Sequence, residues 1–207
     1  MVVSAAGPML RLATAILIAG LVNKTRSLQY LDKLLHSKHL RSQLFSIALA
    51  KLDLKMKVTA KNINRFNIIK LPSVFLMGIR VKELTNERCV AKVKHRWINQ
   101  NPFKSMFWAV QGMAAELTTG AMVIKKIRES GKKVSMLVTN NSATFTKKAT
   151  GRITFVCNDG HLIDDALNES IKTGEGQSFW MESVGTNEEG TVVSTFKFEW
   201  SVKVKPS

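Results

Sequence analysis

The sequence predicts an α+β domain: an antiparallel sheet of about six strands wrapped around one long central helix, with a helical N-terminal extension ahead of it. Two observations carry that prediction. Residues 101–130 are apolar on nearly every side at helical spacing, and a helix of that kind is covered on nearly every side. Around it, period-two alternation recurs in strand-length segments linked mostly by tight turns, which favours antiparallel pairing over a doubly wound sheet.

Residues 1–57 differ from the rest, with nine Lys and Arg against Asp32 and Asp53: a charge of +7, leaving +9 for the remainder. Residues 12–22 are an apolar run of eleven, too short to cross a bilayer at roughly twenty residues. The leader admits three readings. The run is a signal-peptide core, although only Arg11 precedes it. Alternatively, residues 28–57, with Leu31, Leu34 and Leu35, then Leu40, Leu44 and Ile47, at helix-like spacing, form a basic amphipathic helix on a membrane or on the domain. In the third reading the frame is over-extended and the protein starts at Met56. We take 1–57 as a helical or disordered extension and 58–207 as the compact domain.

Within that domain, 63–75 reads as a short helix or turn interrupted by Pro72. Segments 79–85 and 87–96 form a hairpin that bends at Asn86. The central helix follows, with Asn101 as N-cap, Pro102 at the first helical position and Gly131 as the stop. Segments 134–147 and 151–157 read as a second hairpin. Residues 159–173 carry Leu162, Ile163, Ala166, Leu167 and Ile171 at helical spacing and stop at Gly174. Segments 177–184 and 191–204 close a last hairpin. Six such strands around one long apolar helix describe a hotdog fold.

Composition narrows the function. An apolar fraction of 45% over 207 residues supports one good-sized core. Net charge is +16, from 31 Lys and Arg against 15 Asp and Glu, which suits anionic partners. The lysines are scattered without a dense block, so a solvated basic surface is the plainer reading. Lys132, Lys133, Lys147 and Lys148 could meet the phosphates of a coenzyme-A-like ligand, although lysine pairs on turns are more often simply solvated. Cys89 and Cys157 read as reduced core thiols. The histidines make no zinc spacing, His95 reads as a strand-end surface residue, and there is no G-x-S-x-G elbow. No metal and no cofactor is expected.

Glu116 is the acid in the middle of the central helix, flanked by Gly112 and Gly120 four residues to either side. Each glycine costs about 1 kcal/mol against alanine in a helix interior, so something approaches closely there: a ligand, a strand or a partner helix. The structural alternative is a carboxylate satisfied by a lysine or a backbone N–H, with glycines that serve packing.

The runs LPSVFLMGIRV (71–81), HRWINQNPF (95–103) and AAELTTG (114–120) resemble an uncharacterised, thioesterase-like bacterial hotdog family related to the phenylacetate-type acyl-CoA thioesterases. The resemblance covers 63–205. It implies a tight homodimer, further assembled in some cases to a tetramer, with acyl-thioester sites at the subunit interface. It places Glu116 where related enzymes carry the general base or nucleophile. It also implies that backbone amides near the helix start, here residues 105–108, polarise the thioester carbonyl, as free amides and the helix dipole can. Where related enzymes carry a His-Gly-Gly-like segment, this chain has Phe107, Trp108 and Ala109. The two rings would fill the cleft or line an acyl pocket, although core packing is the commoner role for such residues.

Asn101 would shape the turn that carries the amides, with Asn99 and Gln100 beside it. Thr118 and Thr119 lie within a turn of Glu116 and could bond its carboxylate or a water, unless they bond back to their own helix. The reading that follows is a cytoplasmic homodimeric acyl-CoA thioesterase, with catalytic Glu116 and substrate-binding Asn101, Phe107, Trp108 and Thr119. The alternative is a non-catalytic module that binds acyl-CoA or fatty-acyl groups. Neither expects a nucleic-acid partner or a stable membrane span. A third, weaker reading is association with nucleic acid or an anionic membrane through the basic surface and the leader.

Overall fold

The computed structural model describes residues 57–206, so the expected N-terminal extension lies outside the described residues. Helix α1 (Ala60–Lys70) starts after Thr59, whose hydroxyl accepts the Asn62 amide at 3.3 Å. Pro72 forces a break and then opens α2 (Pro72–Leu76) at its first position, where no N–H is needed. Strands β1 (Arg80–Leu84) and β2 (Cys89–Lys94) form the expected hairpin. A single 3-10 turn (Trp97–Asn99) leads towards the central helix α3 (Trp108–Glu129). After it come β3 (Val134–Phe145), β4 (Arg152–Cys157), α4 (Gly160–Thr173), β5 (Gln177–Thr186) and β6 (Val192–Val204).

The strands form one six-stranded antiparallel sheet in the order β1-β2-β4-β5-β6-β3. One expectation is corrected here. Strands β3 and β4 are not a hairpin: β3 pairs with β6 at the sheet edge, in register from Val134↔Val204 to Phe145↔Ser194, and β4 lies between β2 and β5. The link between them does not turn back. The amides of Thr146 and Lys147 bond the Val193 carbonyl, and the Ala149 carbonyl accepts the Met106 amide at 2.8 Å. Alternation marks which residues form strands and leaves their partners unspecified, and here the long alternation of β6 outcompetes the near neighbour.

Helix α3 lies across β2, β4, β5 and β6. Its two mid-helix glycines face β6: a Cβ at Gly112 would sit 3.4 Å from the Phe196 ring, and one at Gly120 would sit 3.2 Å from the Trp200 ring. The close approach inferred from the sequence is therefore that of a strand. Phe155, Met106, Met122, Ile153 and Met181 fill the space between the layers. The distal end of α3 is tied by buried Lys126, which pairs with Asp164 of α4 and, at 3.7 Å, with Glu87 of the β1–β2 turn. A buried ammonium is tolerated only with such partners. Cys89 and Cys157 face each other across β2 and β4, free and buried as expected.

The glycines rank differently under substitution. At Gly160 a Cβ would sit 2.0 Å from the Asn86 carbonyl oxygen and 2.6 Å from the Glu87 Cα, atoms that cannot move aside without shifting the β1–β2 turn. Gly160→Ala is expected to cost about 3 kcal/mol in chemical denaturation. Gly112→Ala, against the edge of one movable ring, should be neutral or gain up to about 1 kcal/mol from helix propensity.

Candidate functional site

The segment before α3 is built differently from the expectation. The helix does not start at Asn101: its first residue is Trp108, with Phe107 as N-cap and no side-chain cap bond. Asn101 instead closes a tight turn of its own. Its Oδ1 accepts from the Phe103 amide (3.0 Å), the Ser105 amide (3.2 Å) and the Ser105 hydroxyl (3.3 Å). The Asn101 amide in turn donates to the Ser105 carbonyl at 2.8 Å. A short polar side chain that serves nearby backbone amides competes with helix entry, which is why Pro102 fails to nucleate a helix here. Lys104 sits at the crest with φ 57, a left-handed conformation that the turn imposes.

Asn99 anchors the whole segment. Buried, it donates from Nδ2 to the carbonyls of Lys94 (2.9 Å) and Met77 (3.2 Å), and its Oδ1 accepts the Arg96 amide at 2.8 Å. Its own carbonyl accepts the Phe107 amide at 2.9 Å. Asn99 is thus fully used in structure. Gln111, which the sequence reading did not single out, fixes the helix start from inside: its Nε2 donates to the Met106 carbonyl at 3.2 Å and its Oε1 accepts the Ser194 hydroxyl at 2.9 Å. A glutamine on the sheet side of an otherwise apolar helix turn was the available signal.

These bonds sort the amides of residues 105–108. Those of Ser105, Met106 and Phe107 are engaged by Asn101, Ala149 and Asn99. The Trp108 and Ala109 amides occupy the first two helical positions, where no carbonyl within the helix is in reach. They carry the positive end of the dipole of a 22-residue helix. Phe107 and Trp108 flank them, both exposed, with their rings edge to face at 5.9 Å. They line the surface and leave the core to Met106 and Val110.

Glu116 was expected to be enclosed; in the single chain it is exposed. It lies on a stripe of α3 with half-buried Ala109 and Met113, on the side the sheet leaves uncovered. Although water reaches it, the surrounding protein strips enough hydration to raise its pKa above the ordinary carboxylate range, and burial is the cause. Beside this stripe the inner face of β3 runs on past α3. Asn141, Ala143 and Phe145 lie on the same face as Phe198 and Phe196, and all three are exposed. Glu116 stands eight residues from Trp108, about 12 Å along the axis at 1.5 Å per residue. One chain therefore cannot bring its own Glu116 to a carbonyl held by its own Trp108 and Ala109 amides.

Thr119 falls outside this arrangement. Fully buried on the sheet side, its hydroxyl donates to the Glu116 carbonyl at 2.9 Å and accepts the Trp200 indole N–H at 3.0 Å. Thr118 likewise bonds the Ala115 carbonyl (2.7 Å) and the Ser183 hydroxyl (2.8 Å). His95 also departs from expectation: it is half-buried, and its Nε2 is enclosed without a hydrogen-bond partner. Burial pushes the thiols of Cys89 and Cys157 up to about 12, which excludes them as nucleophiles at neutral pH. Among the described residues no group of His, Cys, Asp or Glu is arranged to hold a metal ion.

The architecture, a six-stranded antiparallel sheet curled around one long helix, is the hotdog fold. Residues 59–202 match the family described as a domain of unknown function, DUF4442, and the chain belongs to that family. Comparison with the curated proteins finds no significant match. Several solved structures share the fold. A Pseudomonas aeruginosa protein of unknown function described as a probable thioesterase is 20% identical, with a TM-score of 0.62 over 70% of this chain and 96% of that one. A Chlorobaculum tepidum protein of unknown function is 16% identical, with a TM-score of 0.62 over 72% and 99%. A thioesterase from Haemophilus influenzae is 18% identical, with a TM-score of 0.54 over 70% and 91%.

Two measurements separate structure from chemistry here. Thr119→Val should leave the Trp200 N–H buried and unpaired and lower stability by about 1–3 kcal/mol in denaturant titration. For Glu116 the native pKa lies above the unfolded one, so the native state holds its proton more tightly and stability falls as pH rises from the ordinary Glu range through the raised value. Glu116→Gln removes that loss, and its melting temperature should exceed wild type at pH 7 but match it near pH 4.

Proposed function

We propose that this protein is an acyl-thioester hydrolase that works as a homodimer, with acyl-CoA or a similar thioester as substrate in the cytoplasm. The observation that carries the proposal is the separation within one chain of two complementary parts. One is an accessible carboxylate with a raised pKa; the other is a helix start with two amides to spare, about 12 Å away along the same helix. Each half lacks the other. A second copy related by a two-fold axis, seated against the uncovered stripe of α3 and the bare inner face of β3, would supply an opposing helix start to each Glu116.

In that arrangement the Trp108 and Ala109 amides of one copy hold the thioester oxygen and stabilise the charge that develops on it. Glu116 of the other takes the proton from an attacking water and passes it to the sulfur as the C–S bond breaks. Alternatively it attacks the carbonyl directly and expels the thiolate, which takes up a proton, leaving a mixed anhydride that water then hydrolyses to release the acid. A carboxylate with a raised pKa is a stronger base once ionised, which suits proton removal near neutral pH. Phe107 and Trp108 stand where the resemblance places a histidine and a glycine, and their exposed rings would bear on the acyl chain. Asn101 acts one step removed, by setting the turn that delivers the helix start.

A second reading stays open on a specific observation: the bulk at Phe107 and Trp108 narrows access to the free amides. On that reading the protein binds acyl-CoA or fatty-acyl groups without turning them over. Thiol release from short, long and aryl acyl-CoAs, measured beside Glu116→Ala, decides between the two. Turnover is expected in wild type and should fall at least about 100-fold in the variant, with the dimer intact by light scattering. The pH profile of kcat/KM should rise through the raised Glu116 pKa. Background release from both proteins, together with an acyl-CoA-dependent rise in melting temperature, would support the binding module.

A further inference from the structure

We propose that the face formed by the end of α2 and the 96–104 loop docks on an anionic phospholipid bilayer, independently of any thioester chemistry. Trp97 is 83% exposed and Phe103 is 73% exposed, with Ile98 and Leu76 also open to solvent. These residues lie close in the fold. Asn99 bonds the Met77 carbonyl at 3.2 Å, and the Arg96 guanidinium covers Gly78, where a Cβ would be 2.1 Å from it. The rings are presented by a rigid support, since Asn99 and Asn101 bind the loop on both sides of Pro102. A large apolar surface held out by fixed backbone is a docking feature rather than a loose end.

Charge selects the partner. Between Lys57 and Lys82 there are six Lys and Arg and no acid, and between Arg88 and Ala115 there are five and no acid. Lys104 stands at the crest beside Phe103, and the Lys148 ammonium reaches the Phe103 carbonyl at 3.4 Å. Glu188 of the β5–β6 turn already faces Arg152, at 4.0 Å. Tryptophan and phenylalanine rimmed by lysine and arginine match the interface of a negatively charged membrane: rings settle among headgroups, while each cation meets lipid phosphate. Among the described residues no helix is long and apolar enough to cross a membrane, so the attachment is peripheral.

The test is flotation of the full chain with vesicles of phosphatidylcholine alone or containing phosphatidylserine. Wild type should bind the anionic vesicles, weaken steeply with added salt and stay off the neutral ones. Trp97→Ala combined with Phe103→Ala, both exposed and without packing to lose, should cut binding about tenfold with an unchanged melting temperature. Lys104→Asp, which reverses the charge and tolerates the left-handed backbone, should cut it several-fold. No binding by wild type would overturn the proposal. So would equal binding by the double variant, which would place any attachment in the leader, or self-association that the double variant abolishes, which would make the face an interface between copies.

Discussion

The contact on which the rest of the domain depends is the close seating of α3 on β6. A 22-residue helix this apolar must be wrapped, and the wrap is tightest at Gly120, which lets the Trp200 ring lie against the helix backbone, while the Phe196 ring makes an ordinary contact at Gly112. Thr119 adds the one acceptor that the Trp200 indole needs, so the largest ring in the layer is buried without an orphaned donor. Since β6 is thereby pinned under α3 and also pairs with β3 and β5, its placement sets the sheet order and pushes β3 out to the free edge.

That edge position has a chemical consequence. Strand β3 extends beyond the cover of α3, leaving Ala143 and Phe145 bare beside the helix stripe that carries Glu116. The stripe and the bare strand leave a partly apolar surface uncovered, with the exposed Glu116 carboxylate on it. At its upper end the helix start offers two amides flanked by aromatic rings. Glu116 and the free amides of the helix start lie about 12 Å apart along one rigid rod, a separation that the proposed second copy would close.

Polar side chains near the helix start divide into supports and candidates. Asn99, Gln111 and the Asn101–Ser105 turn are held by backbone and hydroxyl partners and set the geometry. Saturation of this kind fixes the eight residues, 100–107, between the 3-10 turn and α3. It also explains how exposed Trp97 and Phe103 can project from the domain at little entropic cost, since the backbone beneath them is already ordered.

By itself the sequence determined the long helix, six strands of nearly the right extent, the β1–β2 and β5–β6 hairpins and the terminating glycine of α4, because helix and strand periods and turn residues are local properties. It also singled out Glu116 and the two flanking glycines. Only the tertiary structure decided the partners. Strand β3 chose β6 over its neighbour because pairing depends on which alternating faces share one core. Asn101 became the hub of a turn instead of a helix cap because Asn99 and Ala149 capture the next amides and delay the helix to Trp108. Thr119 went to Trp200 because the buried indole N–H of β6 needs an acceptor, a partner that helix spacing does not reveal.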